Sequence, residues 1–470
     1  MLRDRYDPAD LFTQIPELCL QFEPVLAQLD RLLDDDVLFR TVKEDLARRR
    51  PHTLTRGRHS TPVEVILRML VVMRLYHWSY AQTEYWVKDS LTLRQFCRVY
   101  LQPVPDDTTL IRWANLIGPE TVERLNARVV ALARRLQVTR GRKLRVDTTV
   151  VETNIHHPTD SSLLGDGVRV LSRLLRRAKA LVDTVPALAD LGKEAFRSRT
   201  RSCRKLAQKF HRLARKKGEE AVEAMKEAYA RQLAVTRQSV RQAQRAAAAL
   251  QEETAAAATR VKEQLEHYLP LVEQAIAQAW RRVIAGEAVP APEKLLSLFE
   301  EHTQIITRHK PGKKVEFGRK LRLDEVEGGI ISGYAVLAQG GGQDQPYLKE
   351  ALEVHRKQFG SAPDLLAGDR GFSSPPNEKL AQDAGVKRVV LPYSGKAPPA
   401  RRALEKQRWF RRGFRFRAGL EGRIHVLKRD FGLDCCRYHG EAGMGRWVGW
   451  GIVTHNLAQI AHTVAARQGA

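Results

Sequence analysis

Cysteine is scarce. Five residues, three isolated (Cys19, Cys97, Cys203) and two adjacent (Cys435, Cys436), provide neither a disulfide framework nor a CxxC metal knuckle. They are expected as reduced, buried small hydrophobes. Long apolar runs are also missing: the most apolar stretch, Val63 to Trp78, is interrupted by Arg68 and Arg74 and is too short to span a bilayer. The opening MLRDRYDPADLF carries acids where an export signal needs a basic and then an apolar region. No membrane or export role is expected, and the expected location is cytoplasmic. The triplet Gly340, Gly341, Gly342 lacks the Lys-Ser or Lys-Thr that would make it a P-loop, and reads as a flexible turn. Acid is in deficit: 54 Asp plus Glu against 79 Lys plus Arg leaves +25 over 470 residues, with a pI near 10.1. An excess of that size favours nucleic acid as partner, with a ribosome-associated or membrane-surface protein as the alternative.

The length allows two or three domains. Residues 1 to about 50 read as a loosely packed lead-in. Thr61, Pro62 and Glu64 read as a capping box opening a helix to about Tyr76, and Ser79 with Gln82 offers a second box. Further helices are expected near Ser90, near Asp107 and from Glu120 to Leu136. Such short helices suit a helix-turn-helix reader or a plain helical support. Lys143 to Val151, KLRVDTTVV, is β-branched and reads as a strand with Asp147 in its middle. An aspartate there is costly unless paired, hydrogen-bonded or holding a metal. ETNIHHPTDSSLL reads as a loop, with His156 and His157 in loop or DNA-backbone roles rather than as metal ligands.

Residues 166 to 310 are poor in Gly and Pro and favour long helices. Val261, Leu265, Tyr268, Val272, Ala275 and Ala279 follow a coiled-coil spacing that Pro270 should break. Arg197 to Lys217, including Arg204 and Lys205, contains ten Lys or Arg and no acid. It is a solvated face or a phosphate-tracking surface. Beyond it, Lys314 to Leu323 and Gly329 to Leu337 read as a hairpin around Glu325 to Gly328. Tyr347 to Phe359 reads as a helix stopped by Gly360, and Asp364 to Asp369 as a short strand that leaves Asp369 beside a loop. Val386 to Pro392 reads as another strand, and Trp447 to Ala466 as a closing amphipathic helix. Arg401 to Arg417 has eight Lys or Arg interleaved with Trp409, Phe410, Phe414 and Phe416, a mixture suited to phosphates or unstacked bases.

Phe414 to Lys428, FRFRAGLEGRIHVLK, puts Arg417, Glu421, His425 and Lys428 on one helical face, with Leu420, Ile424, Leu427 and Phe431 as the neighbouring apolar stripe. Alone, this is a salt-bridged surface helix. With RVDTTVVETNIHHPTDSSLL around Asp147 and AGDRGF around Asp369, the chain resembles bacterial insertion-sequence DDE transposases. One branch carries Tyr, two residues, Arg, three residues, Glu, six residues, Lys. Phe414, Arg417, Glu421 and Lys428 reproduce that spacing, with Phe in place of Tyr. The helical insert is similar to the insertion-sequence group catalogued as "not classified yet" (ISNCY).

The resemblance implies an α/β, RNase H-like catalytic domain: a mixed five-stranded sheet flanked by helices, split by a helical, coiled-coil-like insertion. The expected organisation is a helical, DNA-binding segment over 1–140, the first strand and loop over 141–165, the insertion over 166–310 and the rest of the catalytic domain over 311–470. It implies Asp147, Asp369 and Glu421 as catalytic residues holding two Mg²⁺, with Mn²⁺ as substitute, and Arg417 and Lys428 as DNA contacts; Arg370 beside Asp369, and Arg411, Arg412, Arg204 and Lys205 in the basic segments, are the further expected DNA contacts. The expected partners are double-stranded DNA at element ends and at the target, plus a second copy in a homodimer or larger homo-oligomer acting at the bacterial nucleoid. An RNase H-like nuclease without strand transfer and a catalytically silent DNA-binding descendant are the alternatives.

Overall fold

Leucines at helical spacing order the chain from near its start. The computed structural model describes residues 1–7, 22–213, 215, 218–307, 315–338 and 344–468. The Gly340–Gly342 turn lies outside them. The chain separates into a first unit of residues 1–154 and 306–470 and a second of residues 155–305.

In the first unit, helices α1 (Pro24–Leu33) and α2 (Asp36–Ala47) bury Leu29, Leu38, Val42 and Leu46. The expectation of a loosely packed lead-in is therefore corrected from residue 24 onward. The side chain of Asp35 caps α2 by accepting from the amides of Val37 and Leu38. Helix α3 (Val63–Leu75) is buried over nearly its whole length. The expected Thr61 box is absent, because Pro62 occupies the cap position and makes no side-chain capping bond. Ser79 and Gln82 do form a reciprocal box at the start of α4 (Tyr80–Asp89). Ser90 caps α5 (Leu91–Phe96), Asp106 caps α6 (Asp107–Ala114), and α7 (Pro119–Arg135) follows.

Both arginines that interrupt the apolar run are buried. Arg68 bonds Asp30 at 2.7 Å, Asp34 at 2.5 Å, Glu64 at 3.3 Å and the Phe96 carbonyl at 3.0 Å. Arg74 lies 3.7 Å over the Trp447 ring and donates to the Trp447 carbonyl.

The sheet contains β1 (Lys143–Thr153), β2 (Gln304–Thr307), β3 (Val315–Val326), β4 (Ile330–Val336), β5 (Leu365–Gly368), β6 (Arg388–Val390) and β7 (Cys435–Cys436). Its path is β2-β3-β1-β5-β6, with β4 beside β3 and β7 beside β1. β3 runs antiparallel to β1 and β4, whereas β1, β5 and β6 are mutually parallel along the path. The sheet thus has seven strands rather than five. Of the two additions, β2 lies inside the stretch whose composition reads as helical, and β7 is only two residues long. β3 also runs through Glu325, which was expected in the turn. Glu325 is fully buried, and a charged residue inside a strand resembles a loop signal until its partner is known.

Helices α13 (Tyr347–Phe359), α14 (Pro375–Asp383), α15 (Pro399–Lys406), α16 (Arg408–Phe431) and α17 (Gly440–Gln468) complete this unit. Gly360, in the left-handed region, ends α13. α17 is not amphipathic as expected: Trp447 through Ala458 are all buried, because α1, α3, α7 and β4 surround it.

The second unit is helical. α8 (Asp160–Lys179), capped by Thr159, begins inside the stretch read as a loop. α9 (Pro186–Ala189), α10 (Thr200–Leu213), α11 (Glu219–Ala249) and α12 (Ala256–Ala279) follow. Along α12, Val261, Leu265, Val272, Ala275 and Ala279 are buried as expected of a seam. Pro270 does not break the helix, since the hydrophobic core of this unit packs on both sides of it. Overall the fold is α/β, and among the described residues no helix is long and apolar enough to cross a membrane.

Candidate active site

Two parallel strands and one helix bring the three proposed acids together. The β1 and β5 register pairs Val146 with Gly368, so Asp147 and Asp369 are the next residues along. Asp147 remains in the strand and is buried, while Asp369 stands where β5 ends and the one-turn helix Arg370–Phe372 begins. Glu421 projects from the middle of α16. One guanidinium joins all three: Arg417 Nη2 is 2.9 Å from Asp147 Oδ2 and 3.5 Å from Asp369 Oδ2, and Nη1 is 3.0 Å from Glu421 Oε1. The Arg417 side chain is 11% exposed, against 45% for Asp369 and 67% for Glu421. The cluster therefore opens to solvent on the side of these two carboxylates.

Burial raises the pKa of Asp147 above the ordinary carboxylate value. Arg417 and the Thr148 amide act in the opposite direction, and Asp369 adds to the rise. The Thr148 amide donates to Asp147 Oδ1 at 2.7 Å.

The seat of α16 explains why Arg417 and Glu421 face the strands. Leu420 and Leu427 are buried beneath the helix, Ile424 is half-buried, and a Cβ on Gly413 would come within 2.6 Å of Val390 on β6. Two residues before Asp147, Arg145 bonds Glu325 at 2.9 and 2.6 Å, donates to the Phe416 carbonyl and lies 4.7 Å over the Phe416 ring. From the next turns of α16, Arg423 Nε reaches Glu325 at 3.5 Å and Nη1 reaches His455 Nε2 at 3.1 Å. Burial, then the Arg423 charge, pushes the His455 pKa down to about 3. Neutral His455 thus accepts from Arg423, and its Nδ1 hydrogen points to Asn456 Oδ1 at 3.2 Å. This Arg145–Glu325–Arg423 clamp was not anticipated. Its available signal was the alternation that puts Arg145 on the same face of β1 as Asp147.

A fourth acid lies close but is excluded from the cluster. Asp344 accepts from Thr148 Oγ1 at 3.2 Å, on the other face of β1, and Lys320 neutralises it at 2.5 Å.

The expected DNA contacts occupy different places. Arg370 is exposed beside Asp369, and Arg411 and Arg412 are exposed on the first turns of α16. Lys428 lines a cavity of about 390 Å³ with His77, His425, Arg429 and Arg437. Arg204 and Lys205 are exposed on α10 in the second unit, where His156 pairs with Asp166 at 3.5 Å. Phe414 is an exposed aromatic. Cys97, Cys203, Cys435 and Cys436 form no disulfide; Cys435 is only half-buried, the other three are buried as expected, and Cys19 lies outside the described residues.

Among the described residues, no group of three or more His, Cys, Asp or Glu is arranged to hold a metal ion. In the candidate site the Arg417 guanidinium lies between the acids. The donor set is nonetheless three hard carboxylate oxygens around one cation, the chemistry that suits Mg²⁺ or Mn²⁺.

Residues 19–116 match the family model described as "Transposase domain (DUF772)". Over those residues the chain is similar to that transposase domain. That domain spans α1 to α6 and includes the Arg68 cluster, whereas the three acids lie outside the matched residues. No curated protein and no solved structure matches the chain.

Proposed function

We propose that this chain is the DDE transposase of an insertion sequence, which binds element ends and catalyses DNA strand cleavage and strand transfer. The observation that carries this reading is the convergence of Asp147, Asp369 and Glu421 on one guanidinium. The order in which they arrive supports it: strand with Asp147, hairpin β3–β4, α13, strand ending at Asp369, α14, β6, helix with Glu421. That succession fits an RNase H-like catalytic domain interrupted in sequence by the helical unit of residues 155–305.

Asp147, Asp369 and Glu421 would hold two divalent cations, Mg²⁺ or Mn²⁺. Such a pair, when bound, supplies activation of the attacking water or 3′-hydroxyl and relief of charge on the leaving oxygen. The protein's own part is positioning. The Arg145–Glu325–Arg423 clamp fixes α16 against β1 and so sets where Glu421 meets the two aspartates. Arg417 and Lys428, on the Glu421 face, grip strand phosphates, with Arg417 suited to bidentate contact. Arg370, Arg411 and Arg412 extend that cationic surface, and Arg204 and Lys205 offer a further phosphate-binding face on the inserted unit. Joining two ends calls for a homodimer at least, acting at the nucleoid.

The test is purified protein with Mg²⁺ or Mn²⁺ and labelled element-end DNA. The expected result is cleaved and joined product from the parent and neither from Asp147→Asn. Cleavage without joining would make the chain a nuclease, and cleavage by Asp147→Asn would remove Asp147 from the site.

A further inference from the structure

We infer that the turn joining α3 to α4, together with the C-terminal half of α16, forms a binding site for unpaired DNA. This inference rests on the reading of the three acids as a DNA-cutting centre and adds the form of DNA that lies beside it.

His77 adopts a φ of 57°, left-handed backbone that reverses the chain between its two neighbours. Those neighbours, Tyr76 and Trp78, stack with ring centroids 4.6 Å apart and planes 20° from parallel. Trp86 of α4 continues the stack at 5.9 Å and 22°, and Tyr85 meets Trp86 edge-on at 5.2 Å. Tyr76, Tyr85 and Trp86 are exposed. Rings of this size normally contribute their area to a core, so an ordered, exposed stack marks a contact surface. All four rings lie within the residues that match the transposase domain.

Charge at the same turn identifies the partner. His77 lines the cavity shared with His425, Lys428, Arg429 and Arg437, where Asp434 is the one acid among the lining residues, Asp430 holds Arg429 at 2.6 and 2.8 Å, and Trp447 forms a wall. Cations there complement phosphates, and the adjoining stack can be capped by a base. A duplex keeps its base faces covered, and an acidic peptide has no use for an aromatic stack. A single strand with unpaired bases presents both features at once. The path is also short. Lys428 follows Glu421 by seven residues on α16, about 10 Å along the helix axis. That distance is roughly three stacked steps of ~3.4 Å. A strand leaving the acids along the Arg417, Glu421, His425, Lys428 face would enter the cavity within a few nucleotides and reach the rings next.

The experiment uses the full chain in EDTA, so that binding is read without cleavage. Fluorescence anisotropy follows a labelled oligothymidylate and, in parallel, a labelled duplex. In Tyr85→Ala/Trp86→Ala, affinity for the single strand should fall about ten-fold or more, as expected for a lost base stack, while duplex affinity stays at the parent value. Trp86→Tyr should retain single-strand binding. Arg437→Ala should reduce the salt dependence of single-strand binding by about 0.7 in log–log slope. Unchanged single-strand affinity in the double variant, with duplex binding intact, overturns the site but leaves the transposase reading standing. Failure of the parent to bind either DNA overturns both. A changed sedimentation coefficient in the double variant without loss of single-strand binding assigns the rings to a second copy of the chain and overturns the inference.

Discussion

Arg68 and Arg417 each touch three carboxylates, and the two clusters serve different ends. Around Arg68 the guanidinium is wholly buried and closed off by the Phe96 carbonyl. Arg98 shares Asp30 at 3.0 Å and Asp34 at 3.4 Å, and Arg5 reaches Glu64 at 3.4 Å, so three guanidinium groups answer Asp30, Asp34 and Glu64. Around Arg417 a single guanidinium answers Asp147, Asp369 and Glu421, and two of the three acids face water. The first cluster is balanced in charge, although Asp34 is half-exposed. The second is short of cationic charge and has two exposed acids, which is what a site for additional cations requires. Having three acids around an arginine is therefore uninformative; charge balance separates a structural ion network from a candidate reaction centre.

Four measurements would break or sharpen that contrast, beginning with the largest effect. Asp147→Asn or Asp369→Asn should lower cleavage of labelled ends by about 10³-fold, the several kcal/mol expected when a metal-binding carboxylate is lost. Equal loss on replacing Asp30 without unfolding would erase the distinction. Arg68→Ala should cost about 3–5 kcal/mol in denaturant unfolding, because it strands buried acids, and Mn²⁺ should not restore it. Arg417→Ala should cost about 1–3 kcal/mol, since Asp369 and Glu421 can turn to water. In this case Mn²⁺ should recover the loss, because a cation replaces the guanidinium.

Next, Gly413→Ala should destabilise by about 1–3 kcal/mol through overpacking against Val390, even though alanine gains about 1 kcal/mol of helix propensity. Net stabilisation would mean that α16 does not need its close seat. The smallest effect concerns pH. The folded-state pKa of Asp147 is raised, so the native state keeps its proton longer than the unfolded chain. Its burden on stability is absent below the unfolded pKa, grows as pH rises toward the folded pKa and is complete above it. Asp147→Asn, in chelator, should therefore be slightly more stable than the parent at neutral pH and flatter between acid and neutral pH. An unchanged stability–pH curve would show that burial does not disfavour the Asp147 charge.

Most of the positions of the acids were legible in the linear chain. A β-branched run around Asp147, the DLLAGD strand ending at Asp369 and the three-to-four spacing around Glu421 are local signals, and each element formed within a few residues of its expected limits. Less legible were features whose cause lies far away in sequence. Glu325 looked like a turn residue because its partners, Arg145 and Arg423, are 180 and 98 residues distant. α17 looked amphipathic because the elements that bury its polar-looking side include helices hundreds of residues earlier. β2, inside a stretch whose composition reads as helical, and the two-residue β7 exist as partners of longer strands.

Sequence alone determined the cationic balance, the helical and strand periods and the chemical identity of the three acids, since these depend on residue type and near neighbours. Only the tertiary structure decided that a single guanidinium would gather those acids, that Arg145 and Glu325 would clamp the helix bearing Glu421, and that Tyr76, Trp78 and Trp86 would stack at the turn whose His77 lines a cavity. The physical reason is range. Helix and strand patterns are written in steps of a few residues, whereas ion pairing, burial and ring stacking depend on distances of a few ångströms between groups that the chain sequence leaves far apart.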